Sequence, residues 1–213
     1  QEARLRGCTI FFVLFQDRQG EQEPMQRLLS NHDYSPPEFS ALVCRSRERG
    51  KLLTAPFLKK ALLPPSCEIF LWKDLTQTER QWIIDRQERE HWYPELLSPF
   101  TNEQEIEYLN SLGLRYRGEI AGWVITHRIS SKTIRYTTSF VREDLQQYGF
   151  TAPLLIEAIK IHMASPESFV ATDASFIIPA RFSGMIAFAR KRMLPYLEEN
   201  TELYKSCLLY TSD

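Results

Sequence analysis

Binding a pyrophosphate takes backbone N–H groups that no helix or sheet bond has consumed, and residues 139–155 have the composition to supply them. The run Ser139-Phe-Val-Arg-Glu-Asp-Leu-Gln-Gln-Tyr-Gly-Phe-Thr-Ala-Pro-Leu-Leu155 reads as a strand end, a glycine-containing turn and the start of an amphipathic helix. The first N–H groups of a helix lack internal partners and carry the positive end of its dipole, so an anion is stabilised there. Gly149 lets the backbone approach such an anion with no Cβ in the way, Thr151 can cap, and Pro153 fits a first-turn position where no N–H is needed. With no ligand, the same residues make an ordinary helix-entry turn.

Groups for proton transfer stand out less. Glu119 lies in a predicted hairpin turn, Ser183 early in a predicted last helix, and Tyr196 near the end of that helix just after Pro195. Each is a candidate acid, base or polar anchor, and each also has a plain reading as a solvated or packing residue. His32, His91, His127 and His162 show no short spacing to Cys, Asp or Glu, which argues against a zinc site; surface or half-buried imidazoles suffice, and no metal is expected. The basic run 190–192 could reach a phosphate or simply complement a helix end. The aromatic stretch 92–100 could roof an acceptor site or plug a core.

These groups sit in a chain of 213 residues, 43% of them hydrophobic, which is enough for the core of one ordinary domain plus an appendage. Lys and Arg number 26 against 27 Asp and Glu, so no charge excess is present to hold a nucleic acid, and a small or neutral partner is favoured. Apolar runs such as 10–15 and 69–72 fall far short of the ~20 residues that cross a bilayer, so no membrane partner is expected. Cys8, Cys44, Cys67 and Cys207 form no C-x-x-C pair and follow no signal peptide, which reads as reduced thiols in the cytoplasm. Composition carries no sign of the oligomeric state.

The positioning elements follow from periodicity. Residues 8–15 form a predicted strand, Pro24 fits the first turn of a helix with Met25, Leu28 and Leu29 on one face, and 39–44 form a second strand. A charged, proline-marked connector with one helical turn around 57–62 leads to a strand at 68–72. Thr76 and Glu79 have capping-box form ahead of a helix, and 101–104 offers a second such box before a helix face at Ile106 and Leu109. Residues 114–117 and 121–129 flank Gly118 and Glu119 as a hairpin, and 133–141 is strongly strand-forming. Leu154, Leu155, Ala158 and Ile161 recur at helical spacing, 169–172 suggests another strand, and Phe182, Met185, Ile186, Ala189 and Met193 form the apolar face of the last helix.

At the 139–155 junction the sequence resembles the GNAT superfamily of acyl-CoA-dependent N-acyltransferases, whose phosphate loop reads Gln or Arg, two variable residues, Gly, one variable residue, then Gly or Ala. Here Gln146 and Gly149 match and Thr151 departs from the last position. The run 118–126 resembles the family's second and third strands, and the element order is similar over roughly 68–200. The resemblance implies an α/β (α+β) fold, a mixed, mainly antiparallel central sheet flanked by helices, and transfer of an acetyl or other acyl group from acyl-CoA to an amine-bearing acceptor. It implies a pyrophosphate over Gln147, Tyr148, Gly149, Phe150, Thr151 and Ala152, beside Gln146, and pantetheine along Phe140, Val141 and Arg142. It also implies a bulge in the 133–141 strand whose N–H polarises the thioester carbonyl. A tyrosine that many members place early in the helix after the fifth strand has no counterpart in 180–188, which keeps open a catalytically silent acyl-CoA-binding domain.

The expected organisation is a partial β-α-β module at 1–47, read as the end of a preceding domain of the same kind, a linker at 48–67, and an acyltransferase domain at 68–206 lacking its last strands. The strands at 133–141 and 168–172 are expected to run parallel and diverge. The chain opens on Gln1 as a fragment would, and 207–213 can be encoded by a sequence that resembles a sequencing-library adapter, so that tail is expected to be foreign rather than an apolar strand.

Overall fold

Runs of β-branched and aromatic residues alternate with runs of helical period, and the computed structural model describes the outcome for residues 10–17, 22–47, 51–59, 63–164 and 172–209. In chain order the elements are β1 (Ile10–Asp17), α1 (Gln22–Ser30), β2 (Glu38–Ser46), β3 (Cys67–Leu71), α2 (Gln77–Glu90), β4 (Leu112–Tyr116) and β5 (Glu119–Arg128). They continue with β6 (Thr133–Val141), α3 (Glu143–Gln146), α4 (Thr151–Ala164), β7 (Asp173–Pro179), α5 (Ser183–Phe188) and β8 (Glu199–Leu209). Two compact units result. One holds Gln1–Cys44, Ile177–Leu194 and Glu199–Asp213, the other Arg45–Phe176 and Pro195–Glu198.

The second unit carries the 139–155 junction. Its sheet is mixed and mainly antiparallel, as expected: β3 pairs with β4, β4 with β5 and β5 with β6 in antiparallel fashion, and β6 pairs with β7 in parallel. The turn joining β4 to β5 is Arg117 and Gly118, with φ of 53° and 82°. Positive φ at both positions matches the right-handed twist of the flanking strands, and Gly118 adopts it without steric cost.

Helices cover both faces. Ile83 of α2 is buried with Phe70, Trp72, Trp123, Ile125 and Phe140 in an aromatic-rich cluster. On the opposite face Tyr136 donates its hydroxyl to the Ala158 carbonyl of α4 at 3.4 Å. The parallel ladder joins 133–136 of β6 to 173–176 of β7 and ends at Tyr136 and Phe176, while β6 continues to Val141.

In the first unit β1 pairs antiparallel with β8 along its whole length, from Ile10 opposite Leu209 to Asp17 opposite Glu202. A strand reaching from 199 to 209 was not expected from the sequence. Its alternation is imperfect, and the pairing with β1 supplies what local propensity does not. Arg190 is 2.6 Å from Glu202 and lies over the Phe39 ring, so the basic run contributes an ion pair and a ring contact.

Two further expectations are corrected, and a third falls mostly outside the described residues. Leu28 is exposed and Leu29 carries the buried face of α1. The box at 101–104 starts no α-helix: Asn102 has φ 52°, only a 3₁₀ turn at Glu103–Glu105 follows, and Ile106 is drawn into an antiparallel bridge with His127. The strand foreseen at 168–172 falls mostly outside the described residues, and the strand of this region is β7.

The Thr76 box does form. Thr76 Oγ1 accepts from the Glu79 N–H at 3.2 Å, and Glu79 accepts from the Thr76 N–H at 2.9 Å. Glu79 also receives Arg115 Nε at 2.6 Å, which ties α2 to β4. The Arg115 hydrogen bond is the main reason its carboxyl falls from 4.5 to about 2. A carboxylate held below its unfolded value adds stability above that value and loses it as pH falls through the folded one. Chemical denaturation between pH 5 and 2 is therefore expected to show parent stability falling more steeply than that of Glu79→Gln, with the two curves converging at low pH; parallel curves would contradict the linkage.

Candidate functional site

At the end of β6 the chain is held by hydrogen bonds before it turns. Arg142 donates its N–H to the Ala121 carbonyl of β5 at 2.8 Å, and Gln146 Nε2 donates to the Val141 carbonyl at 2.6 Å. The Arg142 side chain forks onto Asp144 at 2.7 and 3.1 Å and lies 3.7 Å from Glu119. Arg142 is also the first cause of the lowered Asp144 pKa. Glu119 is thus an exposed carboxylate at the start of β5, beside the loop.

The turn itself uses some donors and leaves others. Tyr148 and Gly149 give their N–H groups to the Leu145 and Gln146 carbonyls at 3.2 and 2.8 Å. The N–H groups of Phe150, Thr151 and Ala152 have no acceptor among the described residues, and Pro153 has no N–H to satisfy. Three consecutive free donors therefore open α4, a 14-residue helix whose dipole adds to their attraction for an anion. Gly149 has φ 73° and nothing within 4 Å of where its Cβ would stand. Its value here is conformational as well as steric: the left-handed backbone lets the chain turn from α3 into α4.

A hollow of about 830 Å³ lies beside this turn, lined by Arg86, Trp92, Arg142, Glu143, Asp144 and Gln147. Trp92 has two roles, since its ring also meets Trp123 and Phe140 edge-on at 5.5 and 5.3 Å. Tyr93 is buried in the same cluster, and Leu97 and Phe100 pack against it. The stretch 92–100 is accordingly a core plug that lends one tryptophan to a cavity wall.

The strand leading to the turn carries an irregularity. Ile125 pairs with Thr138 and Thr126 with Tyr136, so Thr137 is an extra residue in β6 with no partner in β5. Buried near it, Thr138 Oγ1 and Ser139 Oγ have no hydrogen-bond partner among the described residues. His127, read from sequence as a surface or half-buried imidazole, is only 4% exposed. Its Nδ1 is 2.7 Å from Thr137 Oγ1 and its Nε2 is 3.0 Å from the Thr101 carbonyl oxygen. The signal was available in the alternation of β5, where 123, 125 and 127 point to one face.

Of the other candidates, Ser183 is the exposed first residue of α5 in the first unit, and Tyr196, which belongs to the second, is half-buried. His162 is fully buried, with Nδ1 3.1 Å from the Tyr136 hydroxyl. Among the described residues no three His, Cys, Asp or Glu side chains are grouped to hold a metal, and no helix is long and apolar enough to cross a membrane.

No protein-family model and no curated protein matches the sequence. Solved structures match the fold. A GCN5-related N-acetyltransferase from Sphaerobacter thermophilus is similar with a TM-score of 0.64 at 16% identity, over 100% of this chain and 65% of that one. A tandem GNAT protein from the clavulanic acid biosynthesis pathway is similar with a TM-score of 0.59 at 10% identity, over 100% and 68%. A GCN5-related N-acetyltransferase from Kribbella flavida follows with 0.54 at 12%, over 92% and 67%. The fold is that of the GNAT superfamily, and the chain spans about two thirds of the length of these proteins.

The left-handed backbone at Gly149 gives a direct test. Gly149→Ala meets no clash, so its cost is the backbone term alone, about 1 kcal/mol, and Gly149→Asn costs less because Asn tolerates this conformation. Urea melts of the two variants are expected to rank in that order; a neutral Gly149→Ala would contradict the role assigned to φ.

Proposed function

We propose that this chain is an N-acyltransferase domain that transfers an acetyl or other acyl group from acyl-CoA to an amine-bearing acceptor by direct attack in a ternary complex. The observation that carries the reading is the set of three N–H groups at Phe150, Thr151 and Ala152 that are unpaired among the described residues and open α4 directly after a left-handed glycine. They suit a pyrophosphate, which needs donors and positive potential and no particular side chain. The GNAT fold supports the same reading.

Acyl-CoA is the co-substrate in this proposal, and the residues present fit it. Phe140, Val141 and Arg142 lead into the turn, where an extended pantetheine would lie, and the strand just before them carries two buried polar atoms without partners among the described residues, Ser139 Oγ and Thr138 Oγ1. Gln146 fastens the turn to Val141 and Gln147 lines the hollow. The bulge at Thr137 is where a sheet exposes backbone polar groups to something other than a neighbouring strand. Fixed donors at such a point would stabilise the oxyanion as an amine attacks the thioester carbon, and holding both reactants in one cleft lowers the remaining barrier. Either the hollow beside Trp92 or the surface near the bulge could receive the amine.

A second reading is favoured by one observation: residues 180–188 contain no tyrosine, so the domain would bind acyl-CoA without turning it over. We place both readings in the cytoplasm, with Cys44, Cys67 and Cys207 as free thiols. We also retain the proposal that 1–47 is the remnant of a tandem partner.

Acetyl-CoA at 100 times its dissociation constant is expected to stabilise the fold by ~2.7 kcal/mol, read as a thermal shift. Gly149→Val should abolish the shift and Gln147→Ala should keep most of it, since the donors proposed for the pyrophosphate are the backbone N–H groups of 150–152. An absent shift in the parent at millimolar acetyl-CoA ends the acyl-CoA reading. Thiol release from acetyl-CoA with a panel of primary amines then separates transferase from silent binder.

A further inference from the structure

Resting on the acyltransferase reading, we infer that Thr137 and His127 form a proton relay for the transfer step, with Thr137 as the catalytic residue and His127 as the positioning residue that takes its proton. The geometry has the order of an activated hydroxyl: Thr137 Oγ1 lies 2.7 Å from His127 Nδ1, and His127 Nε2 lies 3.0 Å from the Thr101 carbonyl oxygen. A carbonyl oxygen can only accept, so in the neutral ring Nε2 carries the proton and donates it there. Nδ1 is then the acceptor, and the Thr137 hydroxyl donates into the ring. Base and hydroxyl are within hydrogen-bond reach, and a third group fixes the tautomer.

Placement supports a chemical role over a packing one. Thr137 is the residue that β5 cannot pair, and it is exposed where its neighbours Tyr136 and Thr138 are buried. It is also the first residue of β6 beyond the last pair with β7. His127, by contrast, is buried and held at both nitrogens. The hydroxyl is thus the reachable end of a pair whose base is shielded from water. From Thr137 to Val141 is about 13 Å of extended strand, a span that a pantetheine arm covers when its pyrophosphate sits at the start of α4.

The step balances without another reagent. The amine nitrogen bonds to the thioester carbonyl carbon, and the carbonyl π pair moves to oxygen. One N–H proton passes to Thr137 Oγ1 as the threonine's own proton moves to His127 Nδ1, leaving an imidazolium that Thr101 continues to hold. The C–S bond then breaks with its pair going to sulfur, the carbonyl re-forms, and the imidazolium proton returns through Thr137 to the thiolate. The products are the amide and free coenzyme A thiol, with the relay restored. Thr137 therefore supplies the proton transfer for which 180–188 offers no tyrosine.

The test uses the full chain with acetyl-CoA and a panel of spermidine, ethanolamine, lysine methyl ester and a peptide with a free N-terminus, following thiol release, and the thermal shift with acetyl-CoA for binding. Thr137→Val is expected to keep the shift and the KM for acetyl-CoA while kcat falls about 100-fold or more, the scale of a lost acid–base group. Thr137→Ser should restore kcat to within a few-fold. His127→Gln should fall comparably, and the double variant Thr137→Val with His127→Gln should fall no further than either alone, as expected of groups that act as a unit. If His127→Gln does not fold, the Val and Ser variants at Thr137 decide alone. A Thr137→Val enzyme with parent kcat, a Thr137→Ser enzyme as slow as Thr137→Val, or multiplicative losses in the double variant would overturn the relay while leaving the acyltransferase reading intact. A parent that binds acetyl-CoA and releases no thiol with any amine overturns the relay in favour of the silent binder. A parent that shows no shift overturns the acyl-CoA reading itself, and the relay with it.

Discussion

The chain places one more residue in β6 than β5 can pair, and much of the second unit depends on that mismatch. In an unbroken strand Tyr136 and Phe140, four positions apart, would point to the same face. The extra residue at Thr137 sends them to opposite faces. Tyr136 reaches the Ala158 carbonyl of α4, and Phe140 joins Trp123, Trp72 and Ile83 in the aromatic cluster on the α2 side. A slip by one residue normally exchanges a buried set for an exposed one. Here it lets one strand serve two different cores along its length, and the residue left over is the one that faces outward.

The two cores are built from different materials. Below α2 the contacts are aromatic: Trp123 and Phe140 lie 4.7 Å apart, Tyr93 stands edge-on to Trp123 at 5.1 Å, and Trp123 Nε1 donates to the Leu97 carbonyl at 2.9 Å. Below α4 the sheet is more polar, and its central groups are joined in a network. Thr126 Oγ1 donates to Asn110 Oδ1 at 2.8 Å, and Asn110 Nδ2 in turn donates to the Tyr136 hydroxyl at 3.3 Å. Burial pushes the Tyr136 phenol far above its usual range, so it stays a neutral donor. An apolar core would hold α4 equally well by area but would leave its sliding and rotation less specified; directional bonds to Ala158 fix where the helix begins relative to the strand that feeds it. The start of α4 is where the unpaired donors lie, so this network sets their position.

Elements whose signals were local were legible in the sequence. The Thr76 box, the 117–118 turn, the 133–141 strand and the 151–164 helix all depend on residues a few positions apart, and each formed where expected within a residue or two. Elements whose cause is a distant partner were not. Thr101 and Gln104 look like a cap, but the Ile106 bridge to His127 holds that segment extended. β8 owes its length to β1, far away in sequence. At the candidate site, Gly149 was found because its effect is on its own backbone. The pairing of His127 with Thr137 was missed because it depends on a register shift between two strands, which no spacing within either strand reveals.

That division bears on why the fold matches structures at 10 to 16% identity while no family model matches the sequence. A recognition surface of the proposed kind, made of N–H groups, would constrain conformation and not side chains: it would ask for a residue able to hold φ 73° at 149, a helix that starts promptly, and a strand that stops at the right place. Thr151 illustrates the freedom this leaves. Its side chain departs from the Gly or Ala of the GNAT loop pattern, yet its N–H has no acceptor among the described residues, like those of Phe150 and Ala152, so what the backbone offers is kept. Side chains become restrictive only where they carry the chemistry themselves, and there a chain with no tyrosine in 180–188 would draw on another hydroxyl, provided that a base lies within hydrogen-bond reach. In this chain the bulge in β6 brings the two together.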